Sequence, residues 1–209
     1  MCGVFGYISD DRQTIDLDTL KQIALETETR GRHAWGLAWI DSAGRLKTFR
    51  QTGKISSQLG LLSMARDAVA LIGHCRFATH GSPQHNINNH PHPCDGGWIV
   101  HNGVIRNYHD LIAGHGLIPT SECDSEVIGL LIERTTGCIV DRCAEALEYI
   151  APGPLAVLGL WKTDMVLARR GNPLHRGRTK QGHYFASLPG SLPGKVQPLT
   201  DNQLIHYKV

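Results

Sequence analysis

The chain has no apolar run approaching the ~18 residues that a membrane-spanning helix needs, and no charged leader followed by an apolar stretch at its start. It also lacks any Cys-x-x-Cys pair. Its cysteines, at 2, 75, 94, 123, 138 and 143, fall at irregular spacings, as reduced thiols do and a disulfide framework does not. A cytoplasmic protein is expected. Charge of one sign is also scarce: a net +2 over 209 residues supplies neither a basic field for nucleic acid nor an acidic tail, so neither nucleic acid nor membrane is expected as a partner. Internal repeats and low-complexity linkers are missing too. The length suits one domain, 1–209, with ample apolar surface for a core.

What is present is a succession of short periodic segments. Residues 2–9 read as a strand, and 18–29 as a helix with Leu20, Ile23 and Ala24 at helical spacing and Asp16 or Asp18 as its cap. Residues 36–40 and 46–50, joined by the turn Asp41-Ser42-Ala43-Gly44, read as an antiparallel hairpin. Strands are expected over 68–75 and 98–105, separated by a His-, Asn- and Pro-rich loop over 81–97. Helices follow over 124–134 and 140–150, then four or five strands, around 155–161, 165–169, 183–187 and 203–207. Strands joined mostly by hairpins, then helices, then strands argue for an α+β fold of antiparallel sheets layered with helices, not a doubly wound parallel sheet.

The chemistry begins at Cys2. Once Met1 is removed, this residue carries a thiol of pKa about 8.5 and an α-amine of pKa about 8, which together make a nucleophile and its base. A small buried residue in a first strand is the plainer reading. Three other segments supply what an amide-cleaving thiol requires. In 73–81, Arg76 can pair bidentately with a carboxylate. Asn102-Gly103 can aim a side-chain amide and a backbone N–H at one point, as an oxyanion hole does. The acidic helix start 121–126 can hold an ammonium. Taken singly, each also reads as a surface arginine, a hairpin turn or a helix cap. His85, His90, His92 and Cys94 form a zinc-type donor set, but their spacing fits no standard pattern, and no metal is expected. Trp35 and Trp39 read as packing residues, Cys138 and Cys143 as core or surface thiols, and Gly171-Asn172-Pro173-Leu174 as a structural turn.

In order along the chain stand Met1-Cys2-Gly3-Val4-Phe5-Gly6, Arg30-Gly31, His74-Cys75-Arg76-Phe77-Ala78-Thr79-His80-Gly81, Asn89-His90-Pro91-His92, His101-Asn102-Gly103 and Ser121-Glu122-Cys123-Asp124-Ser125-Glu126-Val127-Ile128. With these six motifs the chain resembles the glutaminase domain of class II glutamine amidotransferases, which are N-terminal nucleophile hydrolases. It looks most like the glutaminase half of glucosamine-6-phosphate synthase. The resemblance implies a four-layer αββα sandwich of two antiparallel sheets flanked by helices. It implies L-glutamine as substrate and no cofactor. Cys2 would attack the side-chain amide and form a γ-glutamyl thioester that water resolves. Asn102 and Gly103 would hold the oxyanion. Arg76, helped by Thr79 and His80, would grip the α-carboxylate, and Asp124 the α-ammonium. Arg30 would order the nucleophile region. Phe77 stands where the family usually has tryptophan, Arg32-His33-Ala34-Trp35-Gly36 where it has Tyr-Asp-Ser-Ala-Gly, and Ala186-Ser187-Leu188 where it has Ala-Ser-Asp. The 209 residues leave no room for a sugar-isomerase domain, so the resemblance implies a separately encoded synthase or ligase that receives the ammonia. A free-standing γ-glutamyl amide hydrolase and an inactive regulatory homologue are the alternatives.

Overall fold

Side-chain alternation along the strands sets the architecture of the computed structural model, which describes residues 1–209. In β1 (Gly3–Ser9), Phe5 and Tyr7 face one way and Val4 and Ile8 the other, and both faces are buried. The first pair packs with Trp35, Leu37 and Trp39 of β2 (Ala34–Asp41), Leu71 of β4 (Ala68–Arg76), and Leu20, Ile23 and Ala24 of α1 (Leu17–Glu28). The second pair packs with Ala38, Ile40 and Ile72, and beyond them with strands of another sheet. A strand covered on both faces reads as a nearly continuous apolar run, and β1, β2 and β4 do so except at the buried polar residues Asp41, His74 and Arg76.

The second sheet comprises β5 (His92–Cys94), β6 (Gly97–Gly103), β7 (Leu155–Leu160), β8 (Asp164–Arg170) and β12 (Gln203–Lys208). Val100, Ala156, Leu158, Met165 and Leu167 meet the first sheet, while Ile99, Val157, Val166 and Ala168 turn outward. That outer face is covered by α2 (Tyr108–His115), α3 (Glu126–Arg134) and α4 (Ile139–Glu148) through Leu111, Ile128, Leu131, Ile132 and Ala146. The first sheet is completed by β3 (Leu46–Thr52), β9 (His175–Arg178), β10 (Gly182–Ala186) and β11 (Lys195–Pro198), in the order β11-β9-β10-β1-β4-β2-β3. Every strand pair in both sheets is antiparallel. Helix, sheet, sheet, helix is the four-layer α+β arrangement expected.

Several boundaries differ from the sequence reading. Asp16, not Asp18, caps α1, accepting the Thr19 N–H at 2.7 Å. The expected helix over 124–134 begins only at Glu126, because the Asp124 carboxylate turns inward to accept the Ile105 N–H at 2.7 Å. The 81–97 loop contains β5 and a short 3-10 turn, Asn86–Asn88. Six strands, not four or five, follow α4, and the sequence reading had no counterpart for α2 or the 3-10 segment Ile55–Ala65.

The sheet edge β8–β12 is clamped by Asp164, which meets Thr163 Oγ1 at 2.6 Å, His206 Nε2 at 2.6 Å and Lys208 Nζ at 2.7 Å. Burial pushes its carboxyl up, but these donors outweigh burial and hold it at about 2, below the ordinary 3.8. A carboxyl whose pKa falls on folding stabilises the chain above its unfolded value, and that stabilisation is lost as pH drops through the folded value. Amide protection in Gln203–Lys208 is therefore expected to fall between pH 3.8 and about 2, and Asp164→Asn to show the loosened strand already at neutral pH. Hydrogen exchange read as protection factors checks this. Equal protection in the variant would remove Asp164 as the clamp.

Candidate active site

Register brings the chain's second residue to the end of β4. Gly3 pairs with Cys75, so Cys2 lies beside the residues that follow Arg76. The Phe77 N–H donates to Cys2 Sγ at 3.3 Å, and the thiol donates to the Phe77 carbonyl at 3.4 Å. Arg30 Nε donates to the Cys2 carbonyl at 2.7 Å and so fixes the backbone behind the thiol. Met1 is 74% exposed, and its peptide bond occupies the Cys2 α-nitrogen. In this state burial pushes the thiol pKa up, against the opposing pull of the Phe77 N–H, the terminal ammonium and Arg76.

The second sheet contributes the opposite wall. Asn102 and Gly103 end β6, and together with Cys2, Phe77, Thr79 and Arg106 they line a cavity of about 370 Å³. Asn102 is buried, yet its side-chain nitrogen has no hydrogen-bond partner. An unpaired buried donor of this kind costs about 1–3 kcal/mol and is uncommon. Gly103 cannot carry a side chain: a Cβ there would lie 2.5 Å from His101 Nε2 and 2.7 Å from the Pro154 carbonyl oxygen.

Arg76, His80 and Asp124 are not part of the lining of this cavity. Arg76 is only 2% exposed, which removes the surface-arginine reading. Its Nη1 donates to Asn89 Oδ1 at 2.8 Å, and its Nη2 donates to the His80 and Gly81 carbonyls. His80 Nδ1 stands 3.7 Å from Asp124 Oδ1 and 3.3 Å from Thr79 Oγ1. Glu126 takes the hydroxyls and backbone N–H groups of Thr120 and Ser121, which outweigh its burial and hold its carboxyl low. Around them lie buried imidazoles. His74 meets the His101 carbonyl at 3.0 Å, His101 Nδ1 meets Ser125 Oγ at 2.9 Å, and burial holds His101 down at about 4, in its neutral form.

Three residues at the site escaped the sequence reading. Asn172, assigned to a structural turn, donates from its side chain to the Asn102 carbonyl at 2.7 Å and lines the same cavity. His33, in the divergent Arg32–Gly36 segment, accepts the Ala78 N–H at 3.0 Å and stacks on Phe77, itself 46% exposed, with ring centroids 4.9 Å apart. Ser187 Oγ accepts the Val4 N–H at 3.0 Å, locking the start of β1. The Asn-Pro and Ala-Ser dipeptides signal a turn and a strand end; neither signals a partner far away in the chain.

No family model matches the chain. It is 36% identical over 210 residues to glutamine–fructose-6-phosphate aminotransferase (isomerizing) of Helicobacter pylori, a match spanning 94% of this chain and 34% of the relative. The enzyme of the same name from Pseudomonas aeruginosa is 35% identical over 199 residues, 90% of this chain and 32% of the relative. The chain thus spans about a third of the length of the curated relatives it matches. Among solved structures, glutamine phosphoribosylpyrophosphate amidotransferase from B. subtilis superposes with a TM-score of 0.75 at 24% identity, covering 99% of this chain and 49% of the other. A glutamine aminotransferase class-II domain protein from Silicibacter pomeroyi gives 0.65 at 15% identity, covering 98% and 94%. These two likenesses carry the fold.

The Asn172 contact is directly measurable. Asn172→Ala deprives the buried Asn102 carbonyl of this donor and is expected to lower unfolding free energy by about 1–3 kcal/mol in chemical denaturation. An unchanged midpoint and slope would show that the contact contributes nothing.

Proposed function

The chain belongs to the class II glutamine amidotransferases, and from that membership we propose that it hydrolyses the side-chain amide of glutamine through a γ-glutamyl thioester on Cys2, releasing glutamate and ammonia. The observation that carries the reading is the unpartnered, buried side-chain nitrogen of Asn102, a residue that lines the same cavity as Cys2. A donor left free in the resting protein is available to an oxyanion that exists only during reaction, which is how such a group lowers a barrier without tightening substrate binding.

In the proposed sequence, removal of Met1 frees the Cys2 α-amine. The amine takes the thiol proton, and Sγ attacks the amide carbon. The resulting oxyanion is held by the Asn102 side-chain amide and the Gly103 N–H. The amine then returns the proton to the leaving nitrogen, and ammonia departs. Water adds to the thioester under the same base, and glutamate leaves. Arg76, with Thr79 and His80, takes the substrate α-carboxylate, and Asp124 takes the α-ammonium. For Arg76 to do so, the loop carbonyls now occupying its guanidinium must yield to substrate. An amide lacking either charge would leave one of these buried groups unpaired, a source of selectivity for glutamine.

The ammonia is destined for an aminating module. The relatives' names specify fructose 6-phosphate as their acceptor, and two thirds of their length lies outside the match. A module in the same polypeptide is therefore as compatible with the reading as a separate subunit. Glutaminase turnover measured alone and with a candidate module distinguishes coupling from free hydrolysis.

Intact mass after treatment with 6-diazo-5-oxo-norleucine tests the core of the reading. A single adduct at Cys2 is expected in molecules lacking Met1 and none in molecules retaining it; an unlabelled Met1-free chain would sink the mechanism. Asn102→Ala is expected to lower kcat about 10²–10³-fold. Arg76→Lys and Asp124→Asn should act mainly on KM for glutamine, as steady-state kinetics would read directly.

A further inference from the structure

Close to this site the fold gathers three side chains that no step above employs. His90, His92 and Cys123 each offer a ligand atom, and the three atoms lie within 4.8 Å of one another. All three residues are buried. Neither ring nitrogen of His90 nor Nε2 of His92 has a hydrogen-bond partner, and the Cys123 thiol makes only a long contact to Asp124 Oδ1 at 3.9 Å and lies beside Ser125. Buried polar atoms are ordinarily paired, so a converging group of unpaired ones calls for something that pairs them together.

We propose that His90, His92 and Cys123 bind a zinc-class divalent ion, with two imidazoles and one thiolate as protein ligands and the fourth position open. The donor chemistry favours this class. Imidazole and thiolate suit zinc and its neighbours, whereas calcium and magnesium require oxygen donors that this set lacks. Unpartnered ring nitrogens of both imidazoles leave lone pairs for an ion. Binding through Cys123 sulfur requires the ion to displace the thiol proton. An S–metal bond forms as the S–H bond breaks, and the proton passes to solvent. Tetrahedral bonds of about 2.0–2.3 Å place ligand atoms about 3.3–3.6 Å apart. From a spread of 4.8 Å, side-chain rotations that together bring the atoms roughly 1.2–1.5 Å closer reach this geometry.

This set is not the one suggested by spacing along the chain. Cys94 directs its thiol to the Gly129 carbonyl at 3.7 Å, and His85 is exposed. The ion would instead join the His-Pro-His segment that opens β5 to the turn that precedes α3. It would fasten two segments otherwise linked only by packing and side-chain hydrogen bonds. Folding stability therefore rises on loading, because the unfolded chain does not preassemble the site.

Cobalt(II) and zinc(II) test the site in the full chain carrying Cys2→Ser and Cys138→Ser, which removes the two thiols that solvent reaches. One equivalent of cobalt is expected to give tetrahedral d–d bands and a thiolate-to-cobalt charge-transfer band. One equivalent of zinc should bleach them and raise Tm. In that background, Cys123→Thr should abolish the thiolate band, and His92→Gln should weaken cobalt binding at least tenfold. Both variants should leave far-UV circular dichroism unchanged. Absence of a thiolate band in the background protein, or its survival in Cys123→Thr, overturns the proposal. If Cys123→Thr does not fold, the His92→Gln criterion decides alone, and unchanged affinity there overturns it equally. None of these readouts depends on glutamine turnover.

Discussion

Everything at the site depends on two antiparallel sheets held face to face by one apolar layer. Val4, Ile8, Ala38 and Ile72 from one sheet meet Val100, Ala156, Leu158 and Leu167 from the other. That contact holds the end of β4, with Cys2 beside it, against the end of β6, which carries Asn102. Strand alternation makes the arrangement all or none. Slipping β1 by one residue would exchange Phe5 and Tyr7 for Val4 and Ile8 across the sheet and carry Cys2 away from Phe77. The close approach has a local requirement as well. At Gly36 a Cβ would overlap the His90 carbonyl oxygen, so glycine there lets β2 lie against the His-Pro-His segment.

Against that apolar frame the polar interior is unusual in how unevenly it is satisfied. Glu126 has its acceptors filled by Thr120 and Ser121, and Asp124 holds the Ile105 N–H. These carboxylates shape the turn before α3. Asn102 Nδ2, His74 Nδ1, His90 and His92 Nε2 are by contrast unpaired. An apolar replacement would remove the cost of each unpaired atom, so stability alone gives no reason for them. Local rules are commonly broken at places where a protein does chemistry, and six of the ten unpaired buried atoms belong to Asn102 and to the histidines 74, 90, 92 and 101, while the others, on Trp39, Asp67, His175 and His183, lie elsewhere.

Much of the fold was legible because it rests on strong local signals. The 36–50 hairpin combines alternation with a polar turn, and α1 has an acidic cap before apolar residues at helical spacing. Legibility failed where an element is short or its cause is distant. β5 has three residues, one of them proline, and β9 and β11 have four each, too few for a period to register. Asp124 reads as the first turn of a helix until its carboxylate is seen to take an amide from Ile105. The motif residues Cys2, Arg76, Asn102, Gly103 and Asp124 could be picked out because ordered motifs carry them. Asn172 could not, since its partner is Asn102, 70 residues away. For the same reason Cys123 was not grouped with the imidazoles of His90 and His92.

The surroundings of Cys2 narrow the identity of the base on which the proposed chemistry turns. The hydrogen-bond partners of its sulfur are the amide and carbonyl of Phe77, peptide groups that do not accept a proton at working pH. The imidazoles nearby are committed elsewhere. His33 spends Nδ1 on the Ala78 N–H, and His74 and His101 are buried, hydrogen-bonded and held neutral by burial. With Met1 attached, burial pushes the thiol pKa up, and a buried thiol reacts as thiolate most readily with a base at contact distance. The remaining candidate on the same residue is the α-nitrogen, which an attached Met1 converts into a non-basic amide. In the proposed chemistry, the α-nitrogen can therefore serve as the acceptor only in molecules from which Met1 has been removed.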